Sequence, residues 1–351
     1  MAGATSLLAP HRPFFLSAAF SWTLLGGLWA WRLLQGQPWP AHGLCFTLGF
    51  MPLFIAGFAL AALPRWLARP PLRPRDYLVP WGLLTLALAL MLLDSGAGLI
   101  AMLLGWSWLW LRLAACLTGS ERAQRRHALG VLAGMALLGA AMALALAGEP
   151  TLATRLALWG GLGTVFACAL QRLTPFLHVG GRRDALWLGA LLLALLLRAA
   201  ALQGPAVVLV ELLVAAMLLR SAFDPAGRAA RRTPFVAQLL HGLLWLIASL
   251  LLAAAGWELA ALHAYSLGFL CSTVLSMVSR VAAVHAGRTV VVDPALRAMH
   301  WLLQLVCLVR VLSACWPAAP AAWLPLAACG FAALGLGWLL RYGSMMLGPS
   351  R

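Results

Sequence analysis

WELAALHAYSLGFLCSTVLSMVSRVAAVHAGR, running from Trp257 to Arg288, is an apolar stretch long enough to span a bilayer. It holds His263 near its start, Arg280 near its end and His285 just beyond. An imidazole is costly to desolvate, so one kept inside a span has a partner: a hydrogen bond, a proton path or a metal. His263 and His285 are 22 residues apart, which is about 33 Å along a continuous helix. The two therefore cannot share one metal ion or the two faces of one planar cofactor. Any cofactor chemistry must draw on other helices, at more than one membrane depth.

The rest of the chain is of the same kind. Hydrophobic residues make up 63% of the 351 and charged residues 10%, against roughly 25% charged in a soluble domain. This is an all-α, polytopic membrane helix bundle forming one integral membrane domain over residues 1–351. All 25 basic residues are arginine, a bias that fits GC-rich bacterial coding. The net charge of +16 does not indicate nucleic acid, because the arginines sit in short loops where topology and anionic lipid account for them. The seven cysteines form no C-x-x-C pair and mostly fall in apolar runs, as small buried hydrophobes do. The first apolar segment reads as an uncleaved span, not a signal peptide.

Apolar runs able to cross a core about 30 Å thick number twelve. Their approximate limits are 14–34, 42–64, 76–94, 96–118, 126–147, 151–173, 184–203, 205–223, 234–255, 257–284, 294–316 and 320–342. Alternate loops carry the arginines. One set holds Arg65, Arg69, Arg73 and Arg75, then Arg122, Arg125 and Arg126, then Arg182 and Arg183. It continues with Arg228, Arg231 and Arg232, then Arg288 and Arg297, and ends with Arg341 and Arg351. The other set holds little beyond Arg32 and Arg155, with Asp94, Glu149 and Glu258. The positive-inside rule then puts both termini in the cytoplasm of a bacterium, with the chain in its inner membrane.

Orientation sorts the histidines by depth. His11, His127, His178 and His285 fall at cytoplasmic ends or loops, where a solvated or headgroup role is expected. His42 opens the second span on the outer side, and His263 lies about 9 Å below the outer end of the tenth. His241 and His300 lie roughly 9–10 Å in from the cytoplasmic ends of spans nine and eleven. An outer level thus pairs His42 with His263, and an inner one draws on His241, His300 and His285. Two imidazoles holding one haem need facing helices at similar depth. The inner pair His241 and His300 meets that test more closely, with Arg280 and Arg288 near enough for propionates. The outer pair is mismatched by roughly 6–9 Å on these boundaries.

Other polar groups inside the spans are few. Arg198 and Glu211 flank a short outer turn, which predicts an ion pair. Arg310 is an alternative partner for Glu211, and snorkelling to the headgroups is the alternative for each arginine. Tyr265, Ser272, Ser276 and Ser279 share one helical face opposite His263 and read as a packing seam. P-loop, H-E-x-x-H and Rossmann signatures are absent from the sequence, as are the paired-histidine patterns of an oxidase catalytic subunit. Nothing assigns a catalytic residue. A twelve-span transporter shares this topology, but the loop LPRWLARPPLRPRD after span two lacks the major-facilitator signature and no half-to-half repeat is evident.

Taken together, these residues resemble the NnrS family of bacterial membrane proteins. The likeness starts at HRPFF (His11 to Phe15) and Trp39-x-Ala41-His42, then IAGF (Ile55 to Phe58) with Pro64 and Trp66. It continues through Arg172-x-x-Pro175-Phe176, LLHGLLWL around His241 and LHAYSLG around His263. SRVAAVHAGR, with Arg280, His285 and Arg288, closes the block, and Arg310 lies beyond. The resemblance implies a twelve-span protein that binds haem and copper and acts in nitric oxide stress or denitrification, beside another respiratory or denitrification membrane subunit. It favours His42, His241, His263 and His285 as metal or haem ligands, but not His300. Where the family reads W-H-A-H-E, this chain reads Trp39-Pro40-Ala41-His42-Gly43. Losing one histidine and one carboxylate puts copper in doubt. The competing expectations are a twelve-span transporter of a metal, haem or small solute, and a cofactor-depleted structural or assembly subunit.

Overall fold

Proline and glycine punctuate the helices at predictable places. Pro150, Pro205, Pro234 and Pro294 each stand in the first turn of a helix, where a missing N–H costs nothing. The computed structural model describes residues 9–37, 39, 41–93, 95–173, 182–224, 232–288, 292–316 and 318–347. Pro40, Asp94, Pro175, Phe176, His178, Arg228, Arg231 and Arg351 lie outside these residues, as do the side chains at 122–124 and 182–184.

The described chain is a bundle of helices: α1 (His11–Leu34), α2 (His42–Trp66), α3 (Pro74–Leu93) and α4 (Ser95–Leu117). Then come α5 (Arg122–Leu146), α6 (Pro150–Leu173), α7 (Arg182–Ala199) and α8 (Pro205–Phe223). The last four are α9 (Pro234–Ala254), α10 (Glu258–His285), α11 (Pro294–Cys315) and α12 (Trp323–Leu347). Among the described residues, eleven of these are long and apolar enough to cross a membrane, and α7 adds the shorter apolar helix Ala185–Ala199. Helix α1 begins at His11, earlier than the expected residue 14. His11 and Arg12 therefore lie within the bundle instead of ahead of it.

Three helices are far more enclosed than the rest. The apolar windows of α2, α6 and α10 are 78%, 72% and 72% buried, against 28–56% for the other spans. Each of the three is broken in the same way: a short α-helical start, a π-helical stretch, then regular α-helix. The π stretches are Cys45–Phe50, Leu156–Leu162 and Ala264–Cys271.

The turns that feed these helices also match. Gly36, Gly148 and Gly256 adopt positive φ angles of 66°, 89° and 82°, the left-handed cap that glycine enters without steric cost. In each turn the residue after the glycine donates its N–H five residues back. Gln37 bonds Arg32 at 2.8 Å, Glu149 bonds Leu144 at 3.0 Å, and Trp257 bonds Leu252 at 2.8 Å.

The bundle is thus three four-helix units, α1–α4, α5–α8 and α9–α12, with the second helix of each at the centre. Helix α4 packs on α5, α8 on α9, and α12 returns to α1 to close the ring. The inner helices touch one another, α2 meeting both α6 and α10. Between α6 and α10, Trp159 stacks on Tyr265 at 4.0 Å and the Tyr265 hydroxyl donates to the Leu158 carbonyl at 3.1 Å. The π stretches bring backbone close to neighbours. A Cβ on Gly268 would lie 2.4 Å from Trp245, and one on Gly49 2.7 Å from Leu88. Both glycines belong to matching tetrapeptides, Thr47-Leu48-Gly49-Phe50 and Ser266-Leu267-Gly268-Phe269. The internal repeat is threefold, so it does not divide the chain into two similar halves.

Candidate cofactor-binding site

The outer level is built at the entries to α2 and α10. His42 donates Nδ1–H to the Trp39 carbonyl at 2.7 Å. Trp29 of α1 lies flat on its ring, 4.3 Å away with planes 5° apart. His263 is the last residue before the π stretch of α10 and donates Nδ1–H to the Leu259 carbonyl at 2.8 Å. With Nδ1–H spent on the backbone, each neutral ring carries its lone pair on Nε2, the arrangement of a metal-ligating imidazole. Counted from the equivalent turn glycines, His42 stands six residues on and His263 seven. That removes most of the depth mismatch expected from hydropathy. His263 has His42 within electrostatic reach, and Arg310 of α11 lies within reach of both. All three side chains keep part of their surface open.

At the arginine-rich end the arrangement differs from expectation. His285 faces His11, not His241: their ring centroids are 4.2 Å apart and tilted by 54°. His285 donates Nδ1–H to the Val281 carbonyl at 2.9 Å, again leaving a lone pair on Nε2. His11 was expected in solvent. It is 2% exposed, its Nε2 has no hydrogen-bond partner, and Arg12 and Arg65 are its charged neighbours. The reason is the earlier start of α1. HRPFF was the sequence signal, since it places a histidine beside two aromatics that bury completely.

The pair with the best expected depth match does meet, but not as two ligands of one iron. His241 Nδ1 and His300 Nε2 are 2.8 Å apart, a hydrogen bond, with ring centroids at 5.1 Å. A metal between two imidazoles needs about 2 Å to each nitrogen, hence about 4 Å between them. His241 is therefore bonded to His300 through Nδ1, while the ring in contact with His285 is that of His11. The expected propionate arginines do not gather there. Arg280 is exposed and lies over the Phe235 ring at 4.5 Å. Arg288 is exposed and within electrostatic reach of Asp293.

The remaining polar groups are structural stitches. Arg198 pairs with Glu211 through two contacts, Nε to Oε1 and Nη2 to Oε2, the second at 3.0 Å. Its Nη1 also reaches both oxygens of Glu258, at 2.8 and 2.7 Å. Glu258 as a third member was not foreseen, although it opens α10 on the same side. Arg310, the alternative partner of Glu211, instead donates to the Ser313 hydroxyl at 3.2 Å. The seam on α10 is buried and hydrogen-bonded: Gln304 donates to Ser272 at 2.9 Å, Ser276 to Gln238 at 3.3 Å and Trp338 to Ser279 at 3.1 Å. His127, expected in a solvated role, is buried and bonds Gln171 at 3.3 Å.

Between the two histidine levels lies an apolar space of about 50 Å³. The inner helices line it with Phe54, Phe166, Val274 and Met277, and Phe15 and Val281 close it toward His11 and His285. Among the described residues, no three metal-ligating side chains cluster. The donors come in pairs. The family model described as NnrS protein matches residues 5–350. No curated protein matches the chain.

Proposed function

Since the chain belongs to the NnrS family, we propose that it is a haem-binding membrane protein of nitric oxide stress response or denitrification, with His42 and His263 as the haem ligands. The observation that supports this reading most is the state of the two rings. Each spends Nδ1–H on its own backbone and presents Nε2, and both approach from inner helices at matched depth.

The donor set fits a haem iron; held by two imidazoles it would supply a one-electron redox centre, and it would bind a diatomic nitrogen oxide only where one of the two histidines gave up its place. The chain's own residues do the rest. The Trp39 and Leu259 carbonyls fix the tautomers, and Trp29 holds the His42 plane. The space beneath is almost wholly apolar, with Thr273 as its one polar lining residue, so it suits an uncharged molecule better than a hydrated solute, which weighs against a transporter. Copper fits this level poorly, because Pro40 and Gly43 stand where the family has ligand-type side chains. Any second metal would have His11 and His285. We place the arginine-rich loops and both termini in the cytoplasm, and the exposed leucines and tryptophans of the outer helices against lipid or a respiratory membrane subunit.

The test is an absorption spectrum with metal analysis of the purified protein. A Soret band with iron is expected, and its loss in His42→Ala. Wild-type protein without haem or metal overturns the reading in favour of a structural subunit.

A further inference from the structure

Arg310 sits five residues from the end of α11, inside a span. Its one hydrogen bond goes to the neutral Ser313 hydroxyl, one turn away on its own helix. Among the described residues no carboxylate pairs with it. The carboxylates nearest in kind are committed elsewhere, since Glu211 and Glu258 both hold Arg198. A guanidinium cannot shed its proton to escape this position, and an ion inside a membrane protein is retained where it meets a counter-charge. Helix α11 packs against the start of α10, where Cys307, three residues before Arg310, bonds the His263 carbonyl at 3.9 Å, and His42 and His263 lie within electrostatic reach of Arg310; neither imidazole adds a negative charge.

We propose that Arg310 is the anchor of an anion site at the mouth of the His42–His263 level. Its ligand is a carboxylate or small oxoanion with charge shared over two oxygens. The planar fork of the guanidinium matches such a pair of oxygens in two parallel hydrogen bonds. The internal bond to Ser313 uses Nη1 alone, so the Nη2 edge remains for the ligand. The inference uses the same place as the haem reading but does not require haem. The anion has two sources, a free small anion or a carboxylate carried by a bound cofactor.

The experiment is formate titration of the full chain in lipid nanodiscs by isothermal calorimetry, with haem per protein measured on the same samples. The variants are Arg310→Gln, Arg310→Lys and the control Arg155→Gln, an exposed arginine at the same end of the bundle. Gel-filtration elution and helical content confirm folding. Formate bound by wild type and Arg155→Gln but at least tenfold more weakly by Arg310→Gln supports a free-anion site. Arg310→Lys should recover charge without the fork and fall between. No formate binding to wild type, with haem content halved or worse in Arg310→Gln alone, supports the cofactor carboxylate. Formate binding and haem content both unchanged in Arg310→Gln overturn the proposal while leaving the haem reading intact. Arg310-dependent formate binding to a haem-free wild type upholds the anion site and overturns the haem reading.

Discussion

Arg198 and Arg310 are two arginines inside spans at the same end of the bundle, and they are held in opposite ways. Arg198 is 9% exposed and shared between Glu211, fully buried, and Glu258, 57% exposed. All its nitrogens are used, so the group ties α7, α8 and α10 together and has nothing left to offer a ligand. Arg310 has one hydroxyl from its own helix and lies within electrostatic reach of His42 and His263, whose Nδ1–H groups are spent on their own backbone. A buried charge paired on every nitrogen is a structural joint; a half-buried one with no carboxylate beside it, near metal-type donors, is open to a ligand.

The largest effect should separate these two arginines directly. Arg198→Leu strands Glu211 without its partner, and breaking a buried pair costs about 3–5 kcal/mol. Arg310→Leu in cofactor-free protein removes a poorly compensated charge and should cost under about 1 kcal/mol or raise stability. Thermal unfolding in detergent compares them. Equal losses would erase the distinction between joint and site. Within the joint, Glu211→Gln should lower stability by about 3 kcal/mol, whereas Glu258→Gln, solvent-screened, should cost at most about 1 kcal/mol.

A third pair sets the scale at the membrane edge. Arg341 bonds Asp293, which also caps α11 by accepting the Leu296 N–H at 2.9 Å. Burial alone would raise the Asp293 carboxyl, but that hydrogen bond and Arg341 outweigh it and hold it below its usual value. A carboxyl depressed in the folded state stabilises above its unfolded pKa and loses that contribution as pH falls through the folded one. Asp293→Asn, whose amide oxygen can still accept the Leu296 N–H, should therefore lose only the charge interaction with partly exposed Arg341, at most about 1 kcal/mol near neutrality, and flatten the acid side of the stability profile. An unchanged acid limb would show that the ion pair contributes nothing.

The helices and the Arg198–Glu211 pair could be read from the chain because both follow from local pattern: apolar runs of bilayer length, and two charges across a short turn. The threefold plan could not be read from hydropathy, since its marks are sparse. They are one glycine per unit, Gly36, Gly148 and Gly256, at intervals of 112 and 108 residues, and the Leu-Gly-Phe repeat of α2 and α10. The contact of His285 with His11 escapes hydropathy for a related reason. Depth along a span says nothing of which way a ring faces, and α1 enters the bundle early enough to bring His11 to it. His241 and His300 show the same limit from the other side: equal depth brought them together, but into a hydrogen bond.

The central claim is that the His42–His263 level holds haem, and His263→Ala tests it most directly. Haem per protein and the Soret band should be measured beside wild type and beside His241→Ala, with gel filtration to confirm folding. The account predicts that His263→Ala loses most of its haem or shows a shifted Soret band, while His241→Ala, whose ring is hydrogen-bonded to His300, keeps both. Unchanged haem and spectrum in His263→Ala, with loss in His241→Ala, would contradict it.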